Sequence, residues 1–482
     1  MVNSDNTILA PSPLRWCSIS TEELRNNAYR LDASAYDIEA IEALSQVYHS
    51  PYGWVYLWGE NGLVEEAYYP GRYKRIYTSE DKGEPFYLPS QLEEIYPKPS
   101  KWISAKTASL LEKDRIKESN LLISRSGTIG KCAISSRSSI GKIFSDDVIR
   151  ITFRSTYDLG YVYVYAYLNT EEGLKLLQSN NYGAVIDHIE PEHLKNLPIP
   201  NAPEEIKRSI HDAVIASYDL RDQSNDLIDE AQRLLYEALG LPEKMDLKPK
   251  YYAPQAGFRC FTMSSNELNN RFDVSYHLPE IKEILSLISK QAAEVTTLGD
   301  PRISKEIILP GRFKRIYVEK EQGVPFFGGK QLLQLDPSED KYLSLGKHAD
   351  RIKRELSLEE SMCLVSRSGT IGKVIIVPKH WSGWVANEHC LRLSPRNKDI
   401  AGYIYAWLST DYALPFIVRH IYGAVVDEID DKQLSEVAIP LLKDKAVQSR
   451  INDLVLRANE LRYQAYLKEQ DALQQMKKVL KH

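Results

Sequence analysis

Cysteine is scarce in this sequence. The chain has 482 residues, and its five cysteines lie too far apart to form any C-x-x-C pair. Zinc ribbons and disulfide frameworks need paired or clustered cysteines, so the spacing argues against both kinds of site. We expect reduced thiols that pack mostly as small buried hydrophobic side chains at Cys17, Cys132, Cys260, Cys363 and Cys390.

Long apolar runs are missing too. No run of eighteen apolar residues occurs, and the segment from Met1 to Trp16 lacks the basic start and apolar centre of a secretory signal. We therefore expect a cytoplasmic chain with no membrane partner. Its length and its apolar fraction of 43% are those of a soluble globular protein with two or three cores.

Signatures of catalysis are also lacking. The segment Gly127-Thr128-Ile129-Gly130-Lys131 has too few residues between its glycines for a phosphate-binding P-loop, and no G-x-G-x-x-G motif follows a strand-like run. The Asn/Asp-Pro-Pro-aromatic tetrapeptide that amino-methyltransferases place against the target amine is absent as well. We therefore expect no catalytic residues in this chain.

What the sequence does contain is a long repeat. Pro-Gly-Arg-Tyr-Lys-Arg-Ile-Tyr from Pro70 returns, about 240 residues later, as Pro-Gly-Arg-Phe-Lys-Arg-Ile-Tyr from Pro310. Ser-Arg-Ser-Gly-Thr-Ile-Gly-Lys occurs from Ser124 and again from Ser366, and each copy closes on an Ile-Pro pair. A repeat of nearly two hundred residues indicates a duplicated domain rather than a short solenoid unit.

A third repeated block, Tyr-Gly-Ala-Val from Tyr182 and from Tyr422, is followed in the first copy by a polar cluster. That cluster contains types of residue that bind metals. The second copy has Glu428 in place of His188, and Lys432 or Gln433 in place of His193, so no metal site is shared and we expect none. A freestanding hydrolase that uses the first-copy cluster remains an alternative; its residues would be Asp187, His188, Glu190, Glu192 and His193.

Each copy has the pattern of a mixed α/β module. Leu121 to Ile123 and Thr128 to Ile134 flank a Ser-Gly turn and predict a hairpin, and Ile143 to Phe153 predicts another strand. Asp158 to Leu168 and Glu171 to Gln178 predict helices.

After each Ile-Pro pair the pattern changes to that of a long helix. Small and apolar residues step by threes and fours, which is the spacing of a coiled-coil seam, so we expect the two helices to pair as an antiparallel coiled coil. The pattern weakens at Lys468 and Gln475, and Leu235, Leu456 and Leu467 are expected to be exposed docking residues at the seam edge. The predicted seam comprises Ile210, Ala213, Ser217, Leu220, Ser224, Leu227, Ala231 and Leu234, and then Val447, Ile451, Leu454, Ala458, Leu461 and Ala465.

The formal net charge of −5 argues mildly against a nucleic-acid partner, but the first long helix is rich in Asp and Glu and accounts for much of it. The modules can therefore carry positive surfaces of their own. Both copies keep basic, aromatic and hydroxyl residues of the types that contact DNA phosphates. These candidates are Arg72, Tyr73, Lys74, Arg75, Arg125, Ser126, Thr128 and Lys131 in the first copy, and Arg312, Phe313, Lys314, Arg315, Arg367, Ser368, Thr370 and Lys373 in the second. A hairpin whose glycines serve only the turn is the alternative reading for Gly127 and Gly130.

In order and spacing, these blocks resemble the specificity subunits of Type I restriction-modification enzymes. The motifs that carry the resemblance are Arg30-Leu31-Asp32, Pro85-Phe86-Tyr87, the Ser124 to Gly130 hairpin and Leu197-Pro198-Ile199-Pro200. In the second copy Phe272 stands for the leucine, and Val437-Ala438-Ile439-Pro440 for the last run.

The resemblance implies an α+β fold class: two homologous α/β target-recognition domains, separated and followed by long helices, in a pseudo-twofold internal repeat. It also implies that each module reads half of a bipartite site on double-stranded DNA, while the helices set the spacer and dock methyltransferase and restriction/translocase subunits. S-adenosylmethionine, ATP and Mg would bind only on those partners, with no cofactor in this chain. The predicted domains are 1–202 (first recognition domain), 203–241 (central helix), 242–258 (linker), 259–440 (second recognition domain) and 441–482 (C-terminal helix).

Segments that differ between the copies are where we expect the half-sites to be distinguished. They are Leu88-Pro89-Ser90 against Gly328-Gly329-Lys330, and Tyr96 to Ile116 against Pro337 to Ile352. A specificity partner of another restriction type or of a phage-defence methyltransferase is an alternative function, and a purely structural dimerisation protein is a further one.

Overall fold

The computed structural model describes residues 18–26, 29, 36–127, 129–179, 188–243, 261–268, 271–338, 341–423 and 426–481. The chain divides into two compact units, of which unit 1 comprises Met1–Tyr218 with Lys468–His482, and unit 2 comprises Asp219–Leu467. Each unit contains one copy of the repeat with parts of both long helices. The predicted boundaries, which set the long helices apart as separate segments, differ from this division.

Module 1, the copy of the repeat in unit 1, has three sheets. One is antiparallel with order β2-β9-β6-β7, a second has order β3-β5-β4-β8 with β4 and β8 parallel, and the third is the pair β1-β10. The strands are β1 Trp54–Tyr56, β2 Val64–Tyr68, β3 Tyr77–Thr78, β4 Gly83–Tyr87, β5 Lys101–Ser104, β6 Leu121–Ser124, β7 Cys132–Ile134, β8 Ile143–Phe144, β9 Val148–Phe153 and β10 Pro198–Pro200.

Module 2, the copy in unit 2, has the same strand order. Its sheets are β12-β19-β16-β17, β13-β15-β14-β18 with β14 and β18 parallel, and the pair β11-β20. The strands are β11 Ala292–Thr297, β12 Ser304–Ile308, β13 Tyr317–Val318, β14 Gly323–Phe327, β15 Tyr342–Ser344, β16 Cys363–Ser366, β17 Val374–Ile376, β18 Val385–Ala386, β19 Cys390–Pro395 and β20 Ala438–Leu442.

Most helices pack on the sheets, and two helices are much longer than the others. The described helices are α1 Thr21–Asn26, α2 Ile38–Tyr48, α3 Ala105–Leu110, α4 Gly160–Leu168, α5 Glu171–Ser179, α6 Glu204–Leu239, α7 Pro279–Gln291, α8 Leu345–Arg351, α9 Lys398–Leu408, α10 Leu414–Val418, α11 Asp431–Ser435 and α12 Lys445–Lys481. Helix α6 ends at Gly240, whose φ of +61° is the left-handed conformation that commonly closes a helix. The fold is mixed α/β, as the sequence predicts.

The two units have separate cores. In unit 1, α4 packs on the four-stranded sheet, and Ala472, Met476 and Val479 from the end of α12 join the same cluster. In unit 2, α9 is buried nearly throughout, and the cluster includes Ile228 and Leu235 of α6. Burial of this apolar surface is the main stabilising contribution to each unit.

At several predicted seam positions of the long helices, the fully buried residue is the next one along the chain. Ser217, Ser224 and Ala231 are buried as predicted, but Leu220, Leu227 and Leu234 are only half-buried, and Ile228 and Leu235 are fully buried instead. In α12, Ile451, Ala458, Leu461 and Ala465 are buried, whereas Val447 and Leu454 are half-buried beside the fully buried Val455.

The expectation of an exposed Leu235 is therefore wrong, and Leu456 is half-buried, while Leu467 is exposed. The physical reason is that each helix packs on its module as well as on the other long helix, so the buried face is wider than a seam. The C-terminal turns are also well packed, since Ala472 and Met476 are completely buried.

Three cysteines fall within the described residues. Cys132, Cys363 and Cys390 are free and buried, as expected, and burial raises the pKa of the Cys363 and Cys390 thiols to about 12. Cys17 and Cys260 lie outside the described residues. No helix in the described part of the chain is long and apolar enough to cross a membrane.

Candidate nucleic-acid interface

The first repeated block forms an extended segment in each module, between β2 and β3 and between β12 and β13. We call residues 70–77 and 310–317 the basic segments. Arg72, Lys74 and Lys314 are exposed, and the Arg312 side chain is 74% exposed. These four are the predicted DNA-contacting cations that the structure leaves exposed.

The aromatic residue of each basic segment points inward. Tyr73 packs against the buried cluster that contains Phe86 and Ile103, and burial raises its pKa to about 12. Phe313 packs against the corresponding cluster of module 2, with the Arg351 guanidinium 4.6 Å from its ring centroid. These rings anchor the segment, so the flanking cations alternate outward.

The second block forms a hairpin, β6-β7 in module 1 and β16-β17 in module 2, which we call the glycine hairpin. Gly127 and Gly369, at the turn, have φ of +76° and +71° with open space where a side chain would begin. Gly130 and Gly372 also have positive φ, but a Cβ there would lie 2.9 Å from Leu174 and 2.5 Å from Leu414, respectively. Close packing against α5 and α10 therefore explains the second glycine of each pair.

A three-residue loop lies beside each glycine hairpin. It consists of Ser145-Asp146-Asp147 in module 1 and Asn387-Glu388-His389 in module 2, and we call it the acidic loop. The predicted strand over Ile143 to Phe153 is wrong at this point, since the loop separates β8 from β9. Backbone bonds from the hairpin to the loop are equal in the two modules: Arg125 N–H donates to Asp147 O and Arg367 N–H to His389 O, both at 3.0 Å.

The last arginine of each basic segment is bound to the acidic loop. Arg75 donates to the Asp146 carboxylate, and Arg315 donates to both oxygens of Glu388 at 2.7 and 2.8 Å. Burial disfavours the charged form of Arg315, but the hydrogen bonds to Glu388 outweigh it and raise its pKa. The pKa of Glu388 is lowered in return, because the Arg315 bond outweighs burial of the carboxylate.

The arginine of the glycine hairpin contacts the residues that follow the third block. In module 1, Arg125 donates to Glu190 at 2.5 Å and its guanidinium lies 4.1 Å from the Tyr69 ring centroid. Ser126 Oγ donates to Asp147 at 2.7 Å, and the Arg125 carbonyl accepts from Ile189 N–H at 3.0 Å. The glycine hairpin, the acidic loop and the residues that follow the third block therefore meet at one site.

Module 2 makes the same convergence with different partners. The buried Arg367 donates to Glu428 at 2.8 Å, and the exposed Arg312 approaches the same carboxylate at 3.2 Å. Ser368 Oγ lies 2.6 Å from His389 Nδ1. Glu428 stands where module 1 has His188, so the carboxylate that holds the hairpin arginine has moved by two positions along the chain.

A fully buried arginine fixes each acidic loop. Arg150 on β9 donates to the carbonyls of Phe144 (2.7 Å), Val148 (2.6 Å) and Asp114 (3.0 Å). In module 2 the corresponding bonds run from Arg392 on β19 to the carbonyls of Ala386, Cys390 and Leu356. Burial lowers the pKa of Arg392 to about 10, but the residue is still charged at neutral pH. Neither Arg150 nor Arg392 was among the predicted site residues, although they occupy equivalent positions in the two copies of the repeat.

Most of the other predicted site residues make contacts within the module. Lys131 pairs with Glu93 at 3.2 Å, and Lys373 N–H donates to Ser366 Oγ at 2.8 Å. Thr370 is exposed at the hairpin turn, while Thr128 lies outside the described residues.

The first-copy polar cluster is used structurally. His193 Nδ1 accepts from the Glu190 N–H at 3.1 Å, and Glu190 is the ion-pair partner of Arg125. Asp187, the Arg30-Leu31-Asp32 motif and Tyr182 to Val185 fall outside the described residues. Within the described ranges, no group of three or more His, Cys, Asp or Glu side chains is arranged to hold a metal ion.

The family match covers much of this arrangement. Residues 321–455 match the family model of the Type I restriction modification DNA specificity domain. The matched residues include the second glycine hairpin, its acidic loop and Glu428. They are the part of the chain in which Arg367 and His389 meet. The resemblance that the sequence predicts is confirmed by this match.

Solved structures of low identity also match. The Type-I restriction-modification system S subunit from M. genitalium is 13% identical over 86% of this chain and 92% of its own, with a TM-score of 0.32. The HsdS subunit from Thermoanaerobacter tengcongensis is 14% identical over 90% and 99%, with a TM-score of 0.27. A structure concerned with complex assembly and conformational transition of the type I R-M system is 16% identical over 89% and 97%, also with a TM-score of 0.27. No curated protein matches the chain.

Proposed function

We propose that the chain is the DNA specificity subunit of a Type I restriction-modification complex, in which each module binds one half of a bipartite site on double-stranded DNA. One observation carries this proposal: in both modules the glycine hairpin contacts the acidic loop and the residues that follow the third block, and the basic segment exposes two cations on either side of an anchored aromatic ring. The family match to module 2 supports it.

The exposed cations suit phosphate contacts. Arg72 and Lys74, like Arg312 and Lys314, flank an anchored aromatic ring, so the charges are held in place at little further cost in conformational entropy. Arg75, Arg125, Arg315 and Arg367 are bound to carboxylates and shape the surface. Phosphate contacts then set the register on DNA, and other side chains read bases.

We infer that the long helices pair in an antiparallel coiled coil of a pseudo-twofold repeat, set the spacer and dock methyltransferase and restriction/translocase subunits. Contacts within unit 2 support antiparallel pairing, since Ser224 lies 3.4 Å from Arg462 Nε and Glu230 lies 3.1 Å from Arg450. A helix of the length of α6 is about 54 Å long, against roughly 34 Å for one duplex turn.

Catalysis is assigned to the partners in this proposal. The specificity subunit would act as a non-catalytic adaptor, with S-adenosylmethionine, ATP and Mg bound on the methyltransferase and nuclease subunits. A methyltransferase flips its target base out of the duplex, so the two modules have to hold the DNA while a partner distorts it.

The test is co-expression of the full chain with the methyltransferase subunit encoded beside it, followed by single-molecule sequencing of the host DNA for N6-methyladenine. We expect one bipartite motif that is lost when Arg72, Lys74, Arg312 and Lys314 are all changed to alanine. Lys290→Ala with Lys305→Ala removes two exposed cations of unit 2 that lie outside the basic segment and the long helices, and should leave the motif intact. A stable complex that methylates no defined motif would contradict the proposal.

A further inference from the structure

The last residue of the acidic loop has opposite chemistry in the two modules: it is Asp147 in module 1 and His389 in module 2. Asp147 and His389 follow equivalent loop residues, contact equivalent serines of the glycine hairpin and lie beside equivalent buried arginines. The scaffold is the same, yet the side chain is a carboxylate in one module and an imidazole in the other. We propose that Asp147 and His389 are specificity-determining residues that read opposite hydrogen-bonding groups in the two half-sites; this inference rests on the proposed function.

The loop has the same backbone shape in both modules. The Asp147 N–H donates to Ser145 Oγ at 3.2 Å, and the His389 N–H donates to Asn387 Oδ1 at 3.0 Å. The first loop residue is held by strand β4 or β14, since Ser145 N–H donates to Tyr87 O at 3.0 Å and Asn387 N–H to Phe327 O at 2.9 Å. The differing side chains therefore start from matched positions.

A second difference between the modules makes room for Asn387, the larger first residue of the acidic loop in module 2. A Cβ at Gly328 would lie 2.8 Å from Asn387 Nδ2, so the glycine leaves room for the asparagine side chain. Module 1 has Leu88 at that position and the smaller Ser145 in the loop. The first difference between Leu88-Pro89-Ser90 and Gly328-Gly329-Lys330 is therefore explained by packing against the acidic loop.

Both side chains are held and still reachable. The Asp147 side chain is 35% exposed and that of His389 is 39% exposed. The other acidic residue of each loop, Asp146 or Glu388, is more buried and hydrogen-bonded to the arginine of the basic segment. Asp147 lies 3.8 Å from Arg125 and 4.0 Å from Arg75, and His389 Nε2 lies 4.0 Å from Glu388. These separations are longer than hydrogen bonds, so the third loop residue combines a fixed position with an accessible polar end.

The chemistry of the two side chains is opposite. Asp147 takes one hydrogen bond from Ser126 and keeps further lone pairs, so it accepts from an exocyclic amino group of cytosine or adenine. If Ser368 donates to His389 Nδ1, as Ser126 donates to Asp147, the proton of the neutral ring lies on Nε2. His389 then donates to an acceptor such as guanine N7 or O6.

The test uses the co-expressed complex of the full chain with the neighbouring methyltransferase subunit, and reads the methylated motif by sequencing. Asp147→Asn keeps the size of the side chain but replaces one acceptor oxygen by a donor amide. We expect base preference to change by on the order of tenfold at one position of one half-site, with the other half unchanged. His389→Gln should change one position in the opposite half, and Asp399→Asn, on the exposed first turn of α9, should change neither.

Two results are informative in different ways. Motifs identical to that of the unmodified chain in both loop variants would overturn this inference and leave the proposed function standing. Failure of the unmodified chain to direct methylation to any bipartite motif would overturn the proposed function itself. Because the two loop variants lie in separate units, thermal unfolding of each complex identifies a variant that fails to fold, and the other one still decides the question.

Discussion

Modules 1 and 2 share the hydrogen bonds of their fully buried arginines and differ in the carboxylate that pairs with the arginine of the glycine hairpin. Arg150 and Arg392 donate to carbonyls at equal offsets, whereas Arg125 pairs with Glu190 and Arg367 with Glu428, two positions earlier in the repeat. The difference shows that the buried arginine bound to the acidic loop, which we call the loop clamp, is retained in both modules. The ion pair of the hairpin arginine can form with a carboxylate at a neighbouring position, but a guanidinium that satisfies several buried carbonyls cannot be replaced in this way.

The largest expected effect comes from breaking the clamp in either module. Arg150→Met or Arg392→Met leaves several buried carbonyls without a donor, and each should lower the free energy of unfolding by about 3 kcal/mol. Urea unfolding followed by circular dichroism measures the loss. Equal losses of unfolding free energy would show that the buried arginine stabilises both modules alike. A loss in only one of the two variants would show that the modules differ in this respect.

Acid should affect unit 2 through two buried histidines. Burial lowers the pKa of both His380 and His420 to about 4 from an ordinary value of 6.5. The unfolded chain therefore binds more protons between pH 6.5 and pH 4, and stability falls as the pH drops through that range, by roughly 2 kcal/mol per histidine.

His380 offers a specific variant, because its ring stacks on Tyr466 at 4.1 Å and module 1 has Ser138 at the corresponding position. His380→Phe keeps a stacking ring and removes one of the two titrations, so the pH dependence of calorimetric unfolding between pH 4 and pH 6.5 should weaken and retain the part due to His420. An unchanged slope would contradict the assignment.

A smaller effect is expected from the pair that joins the basic segment to the acidic loop. Glu388→Gln should cost about 1 kcal/mol at pH 7. Because the folded-state pKa of Glu388 is lowered, its contribution is present above the ordinary pKa of about 4.5 and is lost as pH falls through the folded value. The stabilities of the variant and the unmodified chain should therefore converge as the pH falls from 4.5 through the folded-state pKa. Chemical unfolding over a series of pH values from 7 downward measures this, and a constant difference would rule out the ionic origin.

The smallest effect concerns single exposed cations. Lys74→Ala and Lys314→Ala should leave thermal unfolding unchanged and each reduce the slope of log binding constant against log salt by about 1. Fluorescence anisotropy with duplex DNA over a range of salt concentrations gives the slope. A slope change for one lysine alone would mean that the modules do not contact DNA alike.

Much of the site follows from the sequence, because repeated blocks mark positions that both modules retain. The glycine hairpin and the exposed basic segments were predicted in this way. The acidic loop was missed because the predicted strand over Ile143 to Phe153 was extended across Ser145-Asp146-Asp147, although these residues are typical of a turn. The bonds from Arg150 that fix the loop are tertiary and leave no local signal. The one-residue offset of the helix seam was missed for a related reason: heptad spacing describes a helix against a helix, whereas α6 also packs on its modules.

Hydroxyl-radical footprinting of the complex on DNA that carries its methylated motif tests the central claim most directly. Arg72→Ala with Lys74→Ala alters module 1, and Arg312→Ala with Lys314→Ala alters module 2. The account predicts that each double variant loses protection over one half-site, a different half in the two cases, and keeps the other. Loss of the same half by both double variants, or unchanged protection in both, would contradict it.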